Sequence, residues 1–120
     1  MRLQRYINEA NKKPYILKKD YDEYERKMGL GPCGPISYVL REKGYGDIYT
    51  GFIGKKGDYM GSYPHFWIQK GGKIIDLQRE LFKDKGDYWE IEKLKKNEKP
   101  DPMIWGKEDY DFWRERIHFK

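Results

Sequence analysis

The stretch His65-Phe66-Trp67-Ile68-Gln69-Lys70-Gly71-Gly72-Lys73-Ile74-Ile75-Asp76-Leu77 decides the fold, because it reads as two strands joined by a glycine pair. Gly71-Gly72 supplies the positive φ that a two-residue hairpin loop demands, so His65 to Lys70 runs out and Lys73 to Leu77 returns. A loop of that length pairs Lys70 with Lys73 and sets Trp67 across from Asp76. Alternation then puts His65, Trp67, Gln69, Ile74 and Asp76 on one face. His65 and Asp76 become diagonal neighbours with Cα atoms roughly 7 to 8 Å apart, within reach of two side chains leaning together. A four-residue loop would set the two directly opposite, whereas a three-residue loop without a bulge would send them to opposite faces.

Upstream, Gly31-Pro32-Cys33-Gly34-Pro35 leads into a segment with Ile36, Val39 and Leu40 at helical spacing. Pro35 suits a first turn and Gly44 a C-terminal cap, so a helix is predicted over Pro35 to Lys43 with Cys33 at its start. Unsatisfied amides and the positive end of the helix dipole favour a thiolate there, and the same amides can hold a developing oxyanion. A thiol that acts as a nucleophile needs a base, and the base needs a partner to fix its ring. Cys33, His65 and Asp76 supply one of each.

A helix-borne Cys followed by strand-borne His and Asp resembles the papain-like cysteine enzymes. The order G-x-C, then H-x-W, then a short turn and I-I-D is most similar to the transglutaminase core, over roughly residues 31 to 77. The resemblance implies that Cys33 is the nucleophile, His65 the base and Asp76 its orienting acid, with Trp67 matching the aromatic residue two positions after the histidine. The chain departs from that pattern in its compact Cys-to-Asp segment and in Pro35 within the first turn of the helix. The fold so implied also hosts peptidases, deamidases and acyltransferases.

The expected fold class is α+β. N-terminal helices and the nucleophile's helix pack on a small antiparallel sheet, followed by C-terminal helices. A length of 120 residues makes one domain over 1–120. Its core is expected at about 15–82 and a helical cover at about 83–120. With 11 Tyr, 5 Phe and 4 Trp, much of that core should be built from amphipathic rings. The single Cys excludes an intrachain disulfide, and Met1-Arg2-Leu3-Gln4-Arg5 leads into no apolar run of signal or membrane-spanning length. Cytoplasmic residence without a membrane partner is the expectation. The net charge of +5 permits acidic partners, but Lys is interleaved with Asp and Glu throughout, as on a solvated surface.

Leu3, Tyr6, Ile7 and Ala10 form a first helical stripe closed by Pro14. Asp20 with Glu23 reads as a capping box for a second helix carrying Tyr21, Tyr24 and Met28, which Gly29 ends just ahead of Cys33. Gly46 to Gly54 alternates as a strand that should pair near the hairpin. Lys55 to Ser62 lacks periodicity and leads straight to His65, so it reads either as a surface loop or as a lid. The C-terminal third reads as helical, with Tyr88 to Lys96 interrupted by Pro100 and Pro102 and with Tyr110, Trp113 and Ile117 as a final stripe, while the charged Lys93 to Asp101 reads as a connector.

No Gln lies shortly upstream of Cys33 to serve as an oxyanion donor, which leaves Asn11, Tyr24 or Gln69 as substitutes. Tyr63, Trp67 and Gln69 are read as substrate contacts. No metal site and no cofactor is expected: two His and one Cys are scattered without paired spacing, and the glycines of 29–35 are not followed by Lys-Ser or Lys-Thr. Two functional classes remain. One is an enzyme forming a thioester at Cys33 with peptide or glutamine side-chain amides, its partner a protein or peptide substrate. The other is a binding module holding a protein or single-stranded nucleic acid through exposed Tyr, Trp and Lys, although the interleaved charge disfavours nucleic acid.

Overall fold

The protein is described by a computed structural model over residues 12–120. The stripe from Leu3 to Ala10, and Asn11 with it, lies outside these residues. Along the chain run β1 (Pro14–Tyr15), α1 (Lys18–Met28), α2 (Cys33–Glu42), β2 (Asp47–Gly54), β3 (Tyr63–Lys70), β4 (Lys73–Ile75), α3 (Leu77–Phe82), β5 (Asp87–Lys93), α4 (Lys107–Arg114) and β6 (His118–Phe119). The architecture is α+β, with a four-stranded antiparallel sheet in the order β4-β3-β2-β5 and a small antiparallel pair of β1 with β6.

The glycine pair sets the central register as expected. Gly71 takes φ 61°, and Lys70 pairs with Lys73, Gln69 with Ile74 and Ile68 with Ile75. The returning strand stops at Ile75, two residues earlier than predicted. Asp76 leaves the ladder to cap α3, its carboxylate accepting the Arg79 amide at 3.3 Å. An Asp followed by Leu-Gln-Arg-Glu-Leu prefers this N-cap role to a last strand position.

The helices also begin and end for local reasons. α1 starts two residues before the expected capping box, with Leu17 as an N-cap that makes no side-chain bond. Asp20 is instead buried in the first turn, where its charge meets the positive end of the helix and Arg116 at 3.9 Å. Gly29, at φ 73°, ends α1. α2 closes in a Schellman arrangement: Gly44 is left-handed, its amide bonds to the Arg41 carbonyl, and the Tyr45 amide bonds to that of Leu40.

Residues 83 onward differ most from the prediction, holding a single helix, α4, between two strands. Tyr88 to Lys93 belongs to β5, which pairs antiparallel with β2. Between Thr50 and Phe52 the register shifts, so Gly51 faces a two-residue bulge at Glu90, whose φ is 52°. Any Cβ on Gly51 would lie 2.7 Å from the Trp89 carbonyl oxygen. The bulge breaks the alternation of the strand, and this is why the segment reads as helical.

α2 lies against one face of the sheet, where Ile36, Val39 and Leu40 meet Ile48 and Ile68. Tyr21 and Tyr24 of α1, with Trp105, Tyr110 and Trp113, complete this core. The Tyr24 hydroxyl donates to Asp109 at 2.7 Å, so the ring is buried without an orphaned polar tip. Trp67 and Ile53 are buried on the opposite face. Among the described residues no helix is long and apolar enough to cross a membrane.

Candidate active site

His65 sits where β3 has run past its neighbour. β4 pairs only with Ile68 to Lys70, so the flank of β3 beside His65 is open, and Asp76, the first residue beyond β4, reaches into the gap. His65 Nε2 lies 3.0 and 2.9 Å from the two carboxylate oxygens of Asp76. Both groups are buried, at 1% and 7% exposure. The Tyr88 hydroxyl donates to Asp76 Oδ2 at 2.8 Å, and with the Arg79 amide this gives the carboxylate three donors. Such saturation holds a buried carboxylate in one orientation.

Cys33 opens α2 at the edge of the same ring. Its side chain is part-exposed and packs partly against the core, and it lies near enough to His65 to raise that ring's pKa. Nε2 is taken by Asp76. A narrow crevice of about 10 Å³ is lined by Cys33, Phe66, Trp67, Asp76 and Gln78 among others, room for about one water. Substrate must therefore reach the sulfur from the exposed side of Cys33. Pro35 is the third residue of α2, and its missing N–H removes a donor that the helix start could not have paired within itself. Gly34 is required by packing: a Cβ there would lie 2.4 Å from the Trp105 ring.

Burial alone would pull the His65 imidazole down, but the hydrogen bonds to Asp76, its charge and the nearby Cys33 outweigh it, and the pKa is pushed up to about 9. A pKa so raised favours imidazolium at neutral pH, held against the Asp76 carboxylate. A folded-state pKa above the ordinary 6.5 contributes stability that is fully present below pH 6.5 and is lost as pH rises through about 9. The expected size is on the order of 3 kcal/mol. Urea denaturation from roughly pH 5 to 10 should show this loss in the wild type and not in Asp76→Asn; equal slopes in both would contradict the coupling.

The residues read as substrate contacts fall in different places. Tyr63 is 38% exposed and sets its ring edge-on to His65 with centroids 5.7 Å apart, while its hydroxyl bonds to Asp84. Trp67 is 1% exposed; it stacks behind the imidazole at 6.2 Å and against Tyr88 at 4.5 Å, so it backs the site and presents no wall to solvent. Gln69 accepts from the Trp67 indole at 3.4 Å. Tyr24, one of the substitute oxyanion donors, is committed to Asp109. Tyr59 of the loop before β3 packs on Phe52 and Trp89. Among the described residues no group of three or more His, Cys, Asp or Glu is arranged to hold a metal ion.

No family model, curated protein or solved structure matches the chain. The site therefore rests on its own geometry. That geometry adds two residues that the sequence reading missed. Tyr88 pairs with Ile53 on β2 and so shares the face of His65 and Trp67, a placement that becomes visible only once 88–93 is read as strand. Arg79 lies over the Tyr88 ring at 4.4 Å and donates to the carbonyls of Asp84 and Gly86, clamping the turn that brings Tyr88 to Asp76.

Proposed function

We propose that the chain is a cysteine-dependent hydrolase or acyltransferase of papain-like, transglutaminase-like type, acting on peptide or glutamine side-chain amides through a thioester at Cys33. The observation that carries this reading is the buried His65 ring, bonded through Nε2 to both oxygens of Asp76 and set near enough to Cys33 at the start of α2 to be raised in pKa by it. In the forward step the Cys33 thiolate adds to the amide carbonyl carbon, the C–S bond forms, and the π pair moves to oxygen. Collapse of that intermediate breaks the C–N bond, and the His65 imidazolium gives its proton to the departing amine. Neutral His65 then takes a proton from water or from a second amine, which attacks the thioester and frees Cys33. Asp76 keeps the ring in place throughout.

The test is incubation of the wild-type protein with a mixed peptide library containing glutamine, with and without an added primary amine. A gain of about 1 Da per glutamine marks deamidation, amine adducts mark transfer, and cleaved backbones mark peptidase action. Any of these, at one class of bond and saturable, is the expected result. Peptides that emerge unmodified, together with a salt-sensitive complex with single-stranded nucleic acid, would favour the binding-module alternative instead.

A further inference from the structure

The hairpin that sets the register of the sheet carries an unfavourable pair. Lys70 and Lys73 face each other across the ladder beside the loop, and like charges set directly opposite are destabilising. Among the described residues neither closes an ion pair, whereas Lys18, Lys27, Lys93 and Lys107 each meet a carboxylate at 2.5 to 3.5 Å. Beside the pair opens a cavity of about 530 Å³ that Lys12 and Lys13 also line, so four lysines share it with a single acid among the described residues, Glu80. Burial pushes the Glu80 carboxyl up, which weakens its opposition to an incoming anion.

The same cavity runs along the free edge of the sheet. β4 is the outermost strand, and among the described residues no backbone bond reaches its outer side. In a two-residue loop the closing pair, here Lys70 with Lys73, exchanges both main-chain bonds, so the next residue, Ile74, turns its N–H and C=O away from β3. Ile74 lines the cavity and, at 39% exposure, offers an apolar side chain on the opposite face from Lys73. A second cavity, of about 590 Å³, continues the groove past Ile74 to Asp76 and Tyr88 and adds Lys83 and Lys85. Lysines alone would shield an edge from a second strand. Set in a concave groove around an unused donor and acceptor, they select a strand that carries negative charge. The one aromatic ring of the first cavity, Tyr45, is 4% exposed, so the bases of a nucleic acid have no face there to stack on.

We infer that the outer edge of β4 docks an acidic stretch of polypeptide, which adds to the sheet as a short strand through the Ile74 main chain and sets its carboxylates among Lys13, Lys70 and Lys73. A strand so added alternates its side chains between two faces. Acidic residues on the face of Lys73 meet the lysine pair, and apolar ones on the other face cover Ile74. Main-chain bonds hold the segment, and the lysines discriminate against neutral and basic chains. No chemistry at Cys33 is involved, so the docking site stands apart from the functional reading above.

The probe is a fluorescein-labelled peptide of alternating glutamate and valine, titrated with the protein at about 50 mM salt and read by fluorescence anisotropy. Saturable binding is expected, weakened about 10-fold or more by Lys70→Glu combined with Lys73→Glu. Ile74→Pro should weaken it by a similar factor, because it removes the outward N–H and leaves the ladder bonds between β3 and β4 in place. Lys55→Glu combined with Lys56→Glu changes the net charge equally at an exposed loop outside the groove and should stay within about 2-fold of wild type. Cys33→Ala should bind as the wild type does. Circular dichroism checks each fold, and a probe N-methylated at alternate amides repeats the main-chain test on the unaltered protein. No saturable binding, an equal loss in the two charge reversals, or undiminished binding by a folded Ile74→Pro and by the methylated probe overturns the inference. An oligothymidylate that displaces the probe and binds more tightly overturns it in favour of nucleic acid.

Discussion

On the proposed mechanism, Asp76→Asn should lower turnover by about 10⁴-fold in a protein that remains folded. The carboxylate bonds His65 Nε2 through both oxygens and accepts from Tyr88 and the Arg79 amide. An amide keeps the shape and one acceptor but loses the charge that helps to hold the ring protonated. If its –NH₂ faces Nε2, the imidazole must carry its proton on Nδ1 and can no longer take one from sulfur. The His65 pKa should then drop from about 9 toward the ordinary 6.5, which the ring proton signals report directly in an NMR titration. Tyr88→Phe removes only one donor to the same carboxylate, and a much smaller loss separates orientation from charge. A folded Asp76→Asn with unaltered titration and unaltered turnover would show that His65 and Asp76 are merely a packed pair.

How much of this arrangement is legible in the sequence depends on how local its causes are. The Gly71-Gly72 loop sets a register by itself, so Lys70 against Lys73 can be read without tertiary knowledge, whereas the contact between His65 and Asp76 is made by an Asp76 that has left the ladder to cap α3. Gly29, Gly44 and Pro35 mark helix ends in the same local way. The rest depends on partners distant in the chain. β5 looks helical because the bulge opposite Gly51 disrupts its period, and with that strand misread Tyr88 cannot be placed beside Asp76. Asp76 ends one element and caps the next, so a strand continued to Leu77 hides α3. The link from Tyr24 to Asp109 spans 85 positions and leaves no periodic trace.

The substitution with the largest effect is Cys33→Ala, which should remove turnover entirely. Nothing else in the chain can take its place, because this is the sole cysteine. The structure also keeps the variant informative. Cys33 is only part-buried and packs at the margin of the core, so losing one sulfur should cost about 1 kcal/mol and leave the fold intact. α2 does not depend on the thiol, since its first bond comes from the Ile36 amide and its end is closed by Gly44. The decisive readout is the covalent intermediate. Acid quench of the wild type during turnover, followed by intact-mass measurement, should show the acyl adduct on the peptide containing Cys33, and the alanine variant should show none while still binding the same substrate. Cys33→Ser sharpens the result: a hydroxyl is far less nucleophilic than a thiol near neutral pH and does not ionise against the imidazolium of His65, so it should be nearly as inactive despite its similar size. Turnover that survives in either variant would place the chemistry elsewhere and leave Cys33 as a small apolar residue at a helix start.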